Sequence, residues 1–170
     1  DPGYDLENLY TFQIAPEGRD DLVDGPSFTR FHLAFKERIA ALPGVESVGI
    51  IENIPLNEGV NTTRFVTEQT QAEEDGGALV GQTFADGDNF ATMGISVVRG
   101  RPFTDADHTS DLGNAVVSEA AAALLWPAGE DPLGRRFRFQ DRDGMWFTVV
   151  GVVEDVLQYG FRDEPQPLVY

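Results

Sequence analysis

The sequence predicts an α/β fold of the α+β kind. Three observations point there. Runs rich in β-branched residues alternate with runs of helical period, as in Val45–Ile51 after Phe28–Leu42. Glycine, proline and acidic turn residues separate them. The 170 residues are 41% hydrophobic and 24% charged, the balance of a globular chain with a real core.

The elements follow in order. Residues Glu7–Gln13 read ENLYTFQ; they resemble a protease-tag sequence but Thr11 interrupts it, and we read them as native. Leu9, Thr11 and Gln13 alternate with Tyr10, Phe12 and Ile14, a strand pattern over Tyr10–Ala15. Pro26, after Asp24 and Gly25, starts a helix. Phe28, Phe31, Phe35, Ile39 and Leu42 then recur at three- and four-residue steps and share one face. Pro43 and Gly44 end it, and Val45–Ile51 is the next strand, completing a β–α–β unit with its helix packed on a sheet.

Asn53–Asn61 is a loop and Thr62–Thr67 a strand. The acidic stretch from Gln69 to Gly77 is an exposed hairpin tip, and Leu79–Ala85 the return strand. A short helix over Asp88–Met93 stops at Gly94. Ile95–Val98 is a strand, Asn114–Ser118 another, and Glu119–Leu125 an alanine-rich helix closed by Trp126–Pro127. Arg135–Phe139 and Trp146–Val153 form a hairpin across Asp141–Gly144, with Gly144 suited to positive φ. Val149–Val153 is uninterruptedly apolar, as for a strand buried on both faces. Gly44, Gly94 and Gly134 sit where the chain must reverse. Pro165 and Pro167 bracket a linker before a last strand at Leu168–Tyr170.

Charge is the compositional outlier. Twelve Lys and Arg against 29 Asp and Glu give a net charge of −17. That field repels nucleic acid and anionic lipid. It fits a solvated acidic surface, and also a salt-adapted source. Lys36 is the only lysine. Cysteine is absent, which excludes disulfides, a thiol nucleophile and thiolate metal sites. No basic segment followed by an apolar run opens the chain, so no signal peptide is expected, and no run of 18 apolar residues occurs. The same pattern suits a loop cut from between two membrane helices.

The search for chemistry finds no active site. His32 lies beside the apolar face of the first helix and reads as structural. Asp105, Asp107, His108 and Asp111 are the best metal candidates, but they lack the glycine and distal glutamate of a calcium loop and read as an acidic capping turn. Ser118 precedes a helix and reads as its N-cap, not a nucleophile; no G-x-S-x-G is present. Gly76–Gly77 is followed by no lysine and no G-x-G-x-x-G follows a strand, so no phosphate loop and no ATP binding are expected. Glu130–Asp131 and Glu154–Asp155 are paired carboxylates read as turn residues. No catalytic, cofactor-binding or metal-ligating residue is assigned.

Seven pieces in order resemble the MacB-like periplasmic core domain of ABC transporter permeases with FtsX-like membrane parts. They are Leu42–Val48, Gly87–Phe90 with Met93–Ile95, Val98–Phe103, Ala115–Glu119, Leu125–Pro127, Asp131–Arg136 and Val149–Val156. The resemblance covers nearly the whole chain. It implies a two-lobed extracytoplasmic domain: a porter-like β–α–β lobe over about 1–103, a smaller sabre-like α/β lobe over about 114–159, and residues 165–170 returning to the first. It implies no enzyme activity and a domain carried by an inner-membrane protein. Its partners would be transmembrane permease segments, an ABC ATPase, a second permease half and periplasmic adaptor proteins, with no nucleic acid. ATP-driven movement of the membrane helices would be relayed outward for export or mechanotransmission. The family's domain continues past Tyr170 with a further strand–helix–strand, so part of the first lobe is expected to be missing here. The alternative reading is a free-standing periplasmic ligand-binding or sensor domain.

Overall fold

The computed structural model describes residues 3–5, 7–14, 25–56, 59–72, 76–109, 113–141, 144–158 and 164–170. Among these residues, four α-helices and seven strands follow in chain order. These are α1 (Gly25–Ala40), β1 (Asn61–Thr67), β2 (Ala78–Gln82), α2 (Gly87–Thr92), β3 (Val97–Gly100), α3 (Asp105–Thr109), β4 (Gly113–Ser118), α4 (Glu119–Leu125), β5 (Arg136–Phe139), β6 (Phe147–Val153) and β7 (Leu168–Val169). A 3-10 turn, Pro127–Gly129, follows α4.

One mixed sheet holds every named strand in the order β3-β6-β4-β7-β2-β1-β5. β5 pairs with β1 and also with the start of β6, Phe137 opposite Phe147. Six strands therefore close on themselves, and β3 is left outside, paired among the described residues to β6 alone. The α/β class is as the sequence predicts. Strands from the range 1–103 and from the range 114–159 hydrogen-bond directly to one another in this sheet.

Alternation along the strands sorts the core into two layers. Phe65, Val80, Ala115, Val117, Phe137, Val149 and Val169 bring at least one buried side chain from each of the six closed strands to one cluster, and Ala121, Leu125 and Trp126 of and after α4 join it. Val116, Val153 and Leu168 face the other way, against Phe90 and Met93 of and after α2, Tyr4 and Tyr170. Val149–Val153 thus feeds both clusters, as its unbroken apolar run implies. At Gly151 a Cβ would come within 2.1 Å of the Arg101 carbonyl oxygen, so only glycine lets the chain after β3 cross β6 so closely.

Several expectations fail on the N-terminal side. Val45–Ile51 is no strand: it makes only the bridge Ile51–Ala85, with Glu52 N–H donating to the Phe84 carbonyl and Asp86 N–H to that of Ile50. Leu9–Ile14 pairs with no strand among the described residues, and Tyr10 is 88% exposed. No side chain described in α1 is buried, and Leu42 is 52% exposed. The helix runs where its periodicity predicts, but among the described residues neither flanking stretch forms the sheet it was expected to cover. Among the described aromatic rings, Phe35 meets Phe31 and Phe12, centroids 6.4 and 6.0 Å away. The Phe28 side chain and Ala15 lie outside the described residues. β3 starts two residues later than expected. Positive φ falls at Gly44, Gly94 and Gly134 (86°, 69° and 75°), as expected, and not at Gly144.

Candidate functional site

Four arrangements gather the chain's polar chemistry. The first is built on the acidic turn. Asp107, with its side chain 6% exposed, accepts a two-pronged pair from Arg101: Nη1 to Oδ2 at 2.6 Å and Nη2 to Oδ1 at 3.0 Å. Oδ2 also accepts the Thr104 N–H at 2.7 Å and its hydroxyl at 2.8 Å, and Oδ1 accepts Asn114 Nδ2 at 2.6 Å. The guanidinium of Arg101 is the main cause that holds the carboxyl far below its ordinary value of 3.8; burial opposes it, and the Thr104 and Asn114 donors add to it. Five donors on two oxygens tie the β3–β4 connection together. Asp105 is exposed, while the His108 side chain and Asp111 lie outside the described residues.

The second joins α1 to α2. Lys36 Nζ donates to the carboxylates of both Asp86 and Asp88. Asp86 is also the N-cap of α2: Oδ1 accepts the Asn89 N–H at 2.9 Å and the Ile50 N–H at 3.0 Å. Burial lowers the Lys36 ammonium's pKa, but the hydrogen bonds and charges of the two aspartates outweigh it and hold it above 10.5. The only lysine of the chain is thus a latch across fifty residues of sequence.

The third is Ser118, buried at the start of α4. Its Oγ accepts the Ala121 N–H at 3.2 Å, the cap read from the sequence, and also the Leu168 N–H of β7 at 3.1 Å. Asp155 Oδ1 takes the neighbouring Ala120 N–H at 2.8 Å. The other paired carboxylates are likewise in use. Glu130 pairs with Arg135 at 2.8 Å, and Asp131 Oδ1 accepts the Leu133 N–H at 3.2 Å. His32 lies edge-on to Phe31, centroids 5.3 Å apart. Gly77 receives Arg64 Nη1 on its carbonyl at 2.8 Å. These residues do structural work, and the structure brings no base, nucleophile and oxyanion donor together among them.

The fourth is a cavity of about 240 Å³ between α4 and the β3–β6 ladder. Its walls include Ala122 and Trp126, Pro127, Pro132, Val152 and Arg99. Sequence reading saw Trp126 as a plug closing the helix against the sheet; buried as it is, it also walls this space. The cavity and the Lys36 latch were both missed. Each depends on residues far apart in sequence, and the single lysine was the only signal.

Comparison with known proteins gives these arrangements a context. The chain matches the family model described as the MacB-like periplasmic core domain over residues 3–170. Among solved structures, it is similar to the extracellular domain of the noncanonic ABC-type transporter YknZ from Gram-positive bacteria. That pair shares 18% identity and a TM-score of 0.52 over 79% of this chain and 58% of that one. The periplasmic region of MacB from Actinobacillus actinomycetemcomitans gives 17% identity and a TM-score of 0.53, over 81% and 61%. A domain of a permease-like protein from Porphyromonas gingivalis gives 20% and 0.51, over 78% and 53%. The chain therefore spans between about half and three fifths of these structures. No curated protein sequence matches it. At such identities the structural likeness establishes the mixed α/β fold. The match across residues 3–170 establishes the family: the chain belongs to the MacB-like periplasmic core domains, non-catalytic extracytoplasmic domains of ABC-type permeases.

Proposed function

We propose that this domain relays ATP-driven movement of the permease's membrane helices to the extracytoplasmic side, for export or mechanotransmission. The family match over residues 3–170 carries the reading. The partners it calls for are transmembrane permease segments, an ABC ATPase, a second permease half and periplasmic adaptor proteins, at the outer face of the inner or plasma membrane. A relay needs a stiff body and an element able to shift against it. The closed strands with their buried cluster supply a body, and α1, latched by Lys36, supplies such an element. The two-lobed division, about 1–103 and 114–159 with 165–170 returning, belongs to the same proposal. Because strands of both ranges share one sheet, the lobes in this reading are parts of one hydrogen-bonded body.

The test uses the parent permease with its ATPase in lipid nanodiscs, in a cysteine-free background. Spin labels go on Ala40→Cys in α1 and Leu79→Cys in β2, both exposed. Pulsed-EPR distances are compared between the nucleotide-free and ATP-trapped states. A shift of the distribution by several ångströms is expected. Identical distributions in both states would sink a relay through α1. A parent polypeptide with no membrane helices flanking these residues would favour the free-standing ligand-binding or sensor domain instead.

A further inference from the structure

Two unfavourable features of the chain meet in one short segment, Ile50–Leu56. Among the described non-glycine residues only Asn8 and Leu56 have positive φ, 58° and 63°. Asparagine adopts that conformation readily, whereas a leucine is held in it against the clash of its Cβ with the backbone. Three residues earlier, Asn53 Oδ1 is buried with no hydrogen-bond partner among the described residues. A buried acceptor left unpaired is costly and uncommon.

The same segment is tied down along its length. At its start Asp86 Oδ1 accepts the Ile50 N–H at 3.0 Å, while the other oxygen of Asp86 accepts Lys36 of α1. The Glu52 N–H donates to the Phe84 carbonyl at 2.8 Å, and the Asn53 N–H to Thr83 Oγ1 at 3.3 Å. Pro55 is buried. At the far end the Leu56 N–H donates to the Gln158 carbonyl at 2.8 Å, and the Leu56 side chain packs against the second core cluster. Ile50–Leu56 thus runs as a strap from the Lys36 latch to the segment after β6.

We infer that Ile50–Leu56 is a two-position strap: docked, it joins the latch of α1 to the segment after β6; released at its Leu56 end, it swings about the bonds of Ile50 and Glu52. Both unfavourable features belong to the docked position alone. On release Leu56 returns to an ordinary φ and Asn53 Oδ1 reaches water. The bonds of Asn53 and Leu56 and the half-buried Leu56 side chain oppose them. Opposed contributions of similar order keep the released position a minor population that a modest pull raises. Asp86 transmits that pull, because Lys36 and Ile50 share its carboxylate, so a displacement of α1 moves the hinge of the strap and draws Leu56 off Gln158. That ATP drives such a displacement rests on the relay reading; that the strap has two positions does not.

The test uses the ¹⁵N-labelled chain itself, read by amide hydrogen exchange and relaxation dispersion. The amides of Asn53 and Leu56 should exchange by local opening, at rates indifferent to low urea, while those of β4 and β6 exchange with global unfolding. Dispersion should appear at residues 53–56 with one common rate. Four substitutions separate the strap from an ordinary loop, and a retained cooperative melt verifies the fold of each. Leu56→Gly and Leu56→Ala both remove the side chain, but only glycine accepts the positive φ without strain. The Asn53 amide should therefore be more protected in Leu56→Gly than in Leu56→Ala, by about threefold or more. Asn53→Leu deletes the unpaired acceptor at similar volume, so the Leu56 amide should exchange more slowly than in the wild type. Lys36→Met should quicken exchange at Leu56 together with α1, leaving β4 and β6 unchanged. Equal protection in the glycine and alanine variants would mean that Leu56 stores no strain. Faster exchange in Asn53→Leu would mean that the asparagine holds the docked position. Either result overturns the two-position strap. Unchanged exchange at Leu56 in Lys36→Met would overturn its coupling to α1. If the strap behaves as expected while the labelled parent shows no ATP-dependent change in distance, the relay through α1 fails and the strap stands.

Discussion

Every closed strand of the sheet sends a buried side chain into one cluster, whereas α1 buries none of the side chains described in it. Both regions are built from strong local patterns. β4 and β6 alternate between two cores, and α1 repeats its aromatics at helical steps. What separates them is company. Phe137, 0% exposed, has the rings of Phe65, Trp126 and Phe147 within 6.1 Å. Phe35 has Phe31 and Phe12, the latter itself 57% exposed. A pattern decides which face can be buried; neighbours from elsewhere in the chain decide how much stability the face returns.

The comparison breaks most visibly by truncating one aromatic in each region. Phe137→Ala should cost about 3–5 kcal/mol, the range for a large buried side chain. Phe35→Ala should cost less, about 1–2 kcal/mol, because its side chain is only half-buried, beside Phe31 and the exposed Phe12. Urea unfolding of the two variants measures the gap. Equal losses would show that α1 is as firmly packed as the sheet.

Asp107 gives the next effect. Asp107→Ala should cost about 0.5–2 kcal/mol, since it removes charge-assisted bonds whose Arg101 and Thr104 donors can turn to water and leaves the part-buried Asn114 amide short of an acceptor. Its titration has a definite sign. The folded carboxyl holds its proton less well than the unfolded one, so the unfolded state takes up the proton first as pH falls. The contribution is complete well above 3.8 and is lost progressively on acidification below it. Melting midpoints from pH 6 to pH 2 should fall less steeply in Asp107→Asn than in the wild type; parallel curves would contradict the assignment.

Lys36→Met tests the latch and should act on one region only. The pair is part-exposed, so its worth is about 0.2–1 kcal/mol. Amides of residues 31–40 should exchange up to about fivefold faster, the factor for about 1 kcal/mol, with β4 and β6 unchanged. The raised ammonium gives the opposite sign to Asp107: its contribution is full below 10.5 and fades as pH climbs through the higher folded value. Uniformly faster exchange would mean that α1 and the sheet open together.

Salt should give the smallest effect and divide the regions again. Screening relieves the self-repulsion of −17, so the melting midpoint of the sheet should rise by a few degrees from low to high sodium chloride. The Lys36 latch weakens under the same screening, and exchange in α1 should quicken. A falling midpoint would show that attractive pairs such as Arg136–Glu68 dominate the surface instead.

The legible parts of the sequence were those settled within a few residues. The period of Asn114–Ser118, the Ser118 cap, the reversal at Gly94 and the hairpin of β5 and β6 all appear close to where the pattern puts them. Val45–Ile51 is as rich in β-branched residues but meets the chain near Ala85 in a single bridge, and propensity alone does not make a strand. The Asp107 node lay half in view, its donors Arg101, Thr104 and Asn114 all within seven residues. Nothing local could show β5 meeting β1, Lys36 meeting Asp86, or Trp126 walling a cavity with Arg99. Those are encounters across tens of residues, fixed only when the sheet closes.

The placing of β7 sets a timetable for that closure. Its two residues, Leu168 and Val169, sit between β2 and β4, and Ser118 Oγ grips the Leu168 N–H while also starting α4. The seam between the first hairpin and the β4–β6 ladder is thus filled by residues synthesised some fifty positions after the serine that receives them. On the ribosome, β1, β2, β4 and α4 emerge while the strand that joins them is still unmade. Folding of the sheet therefore waits for residue 169 to leave the exit tunnel, and during that interval the inner faces of Val80 and Val117 must be kept from other chains.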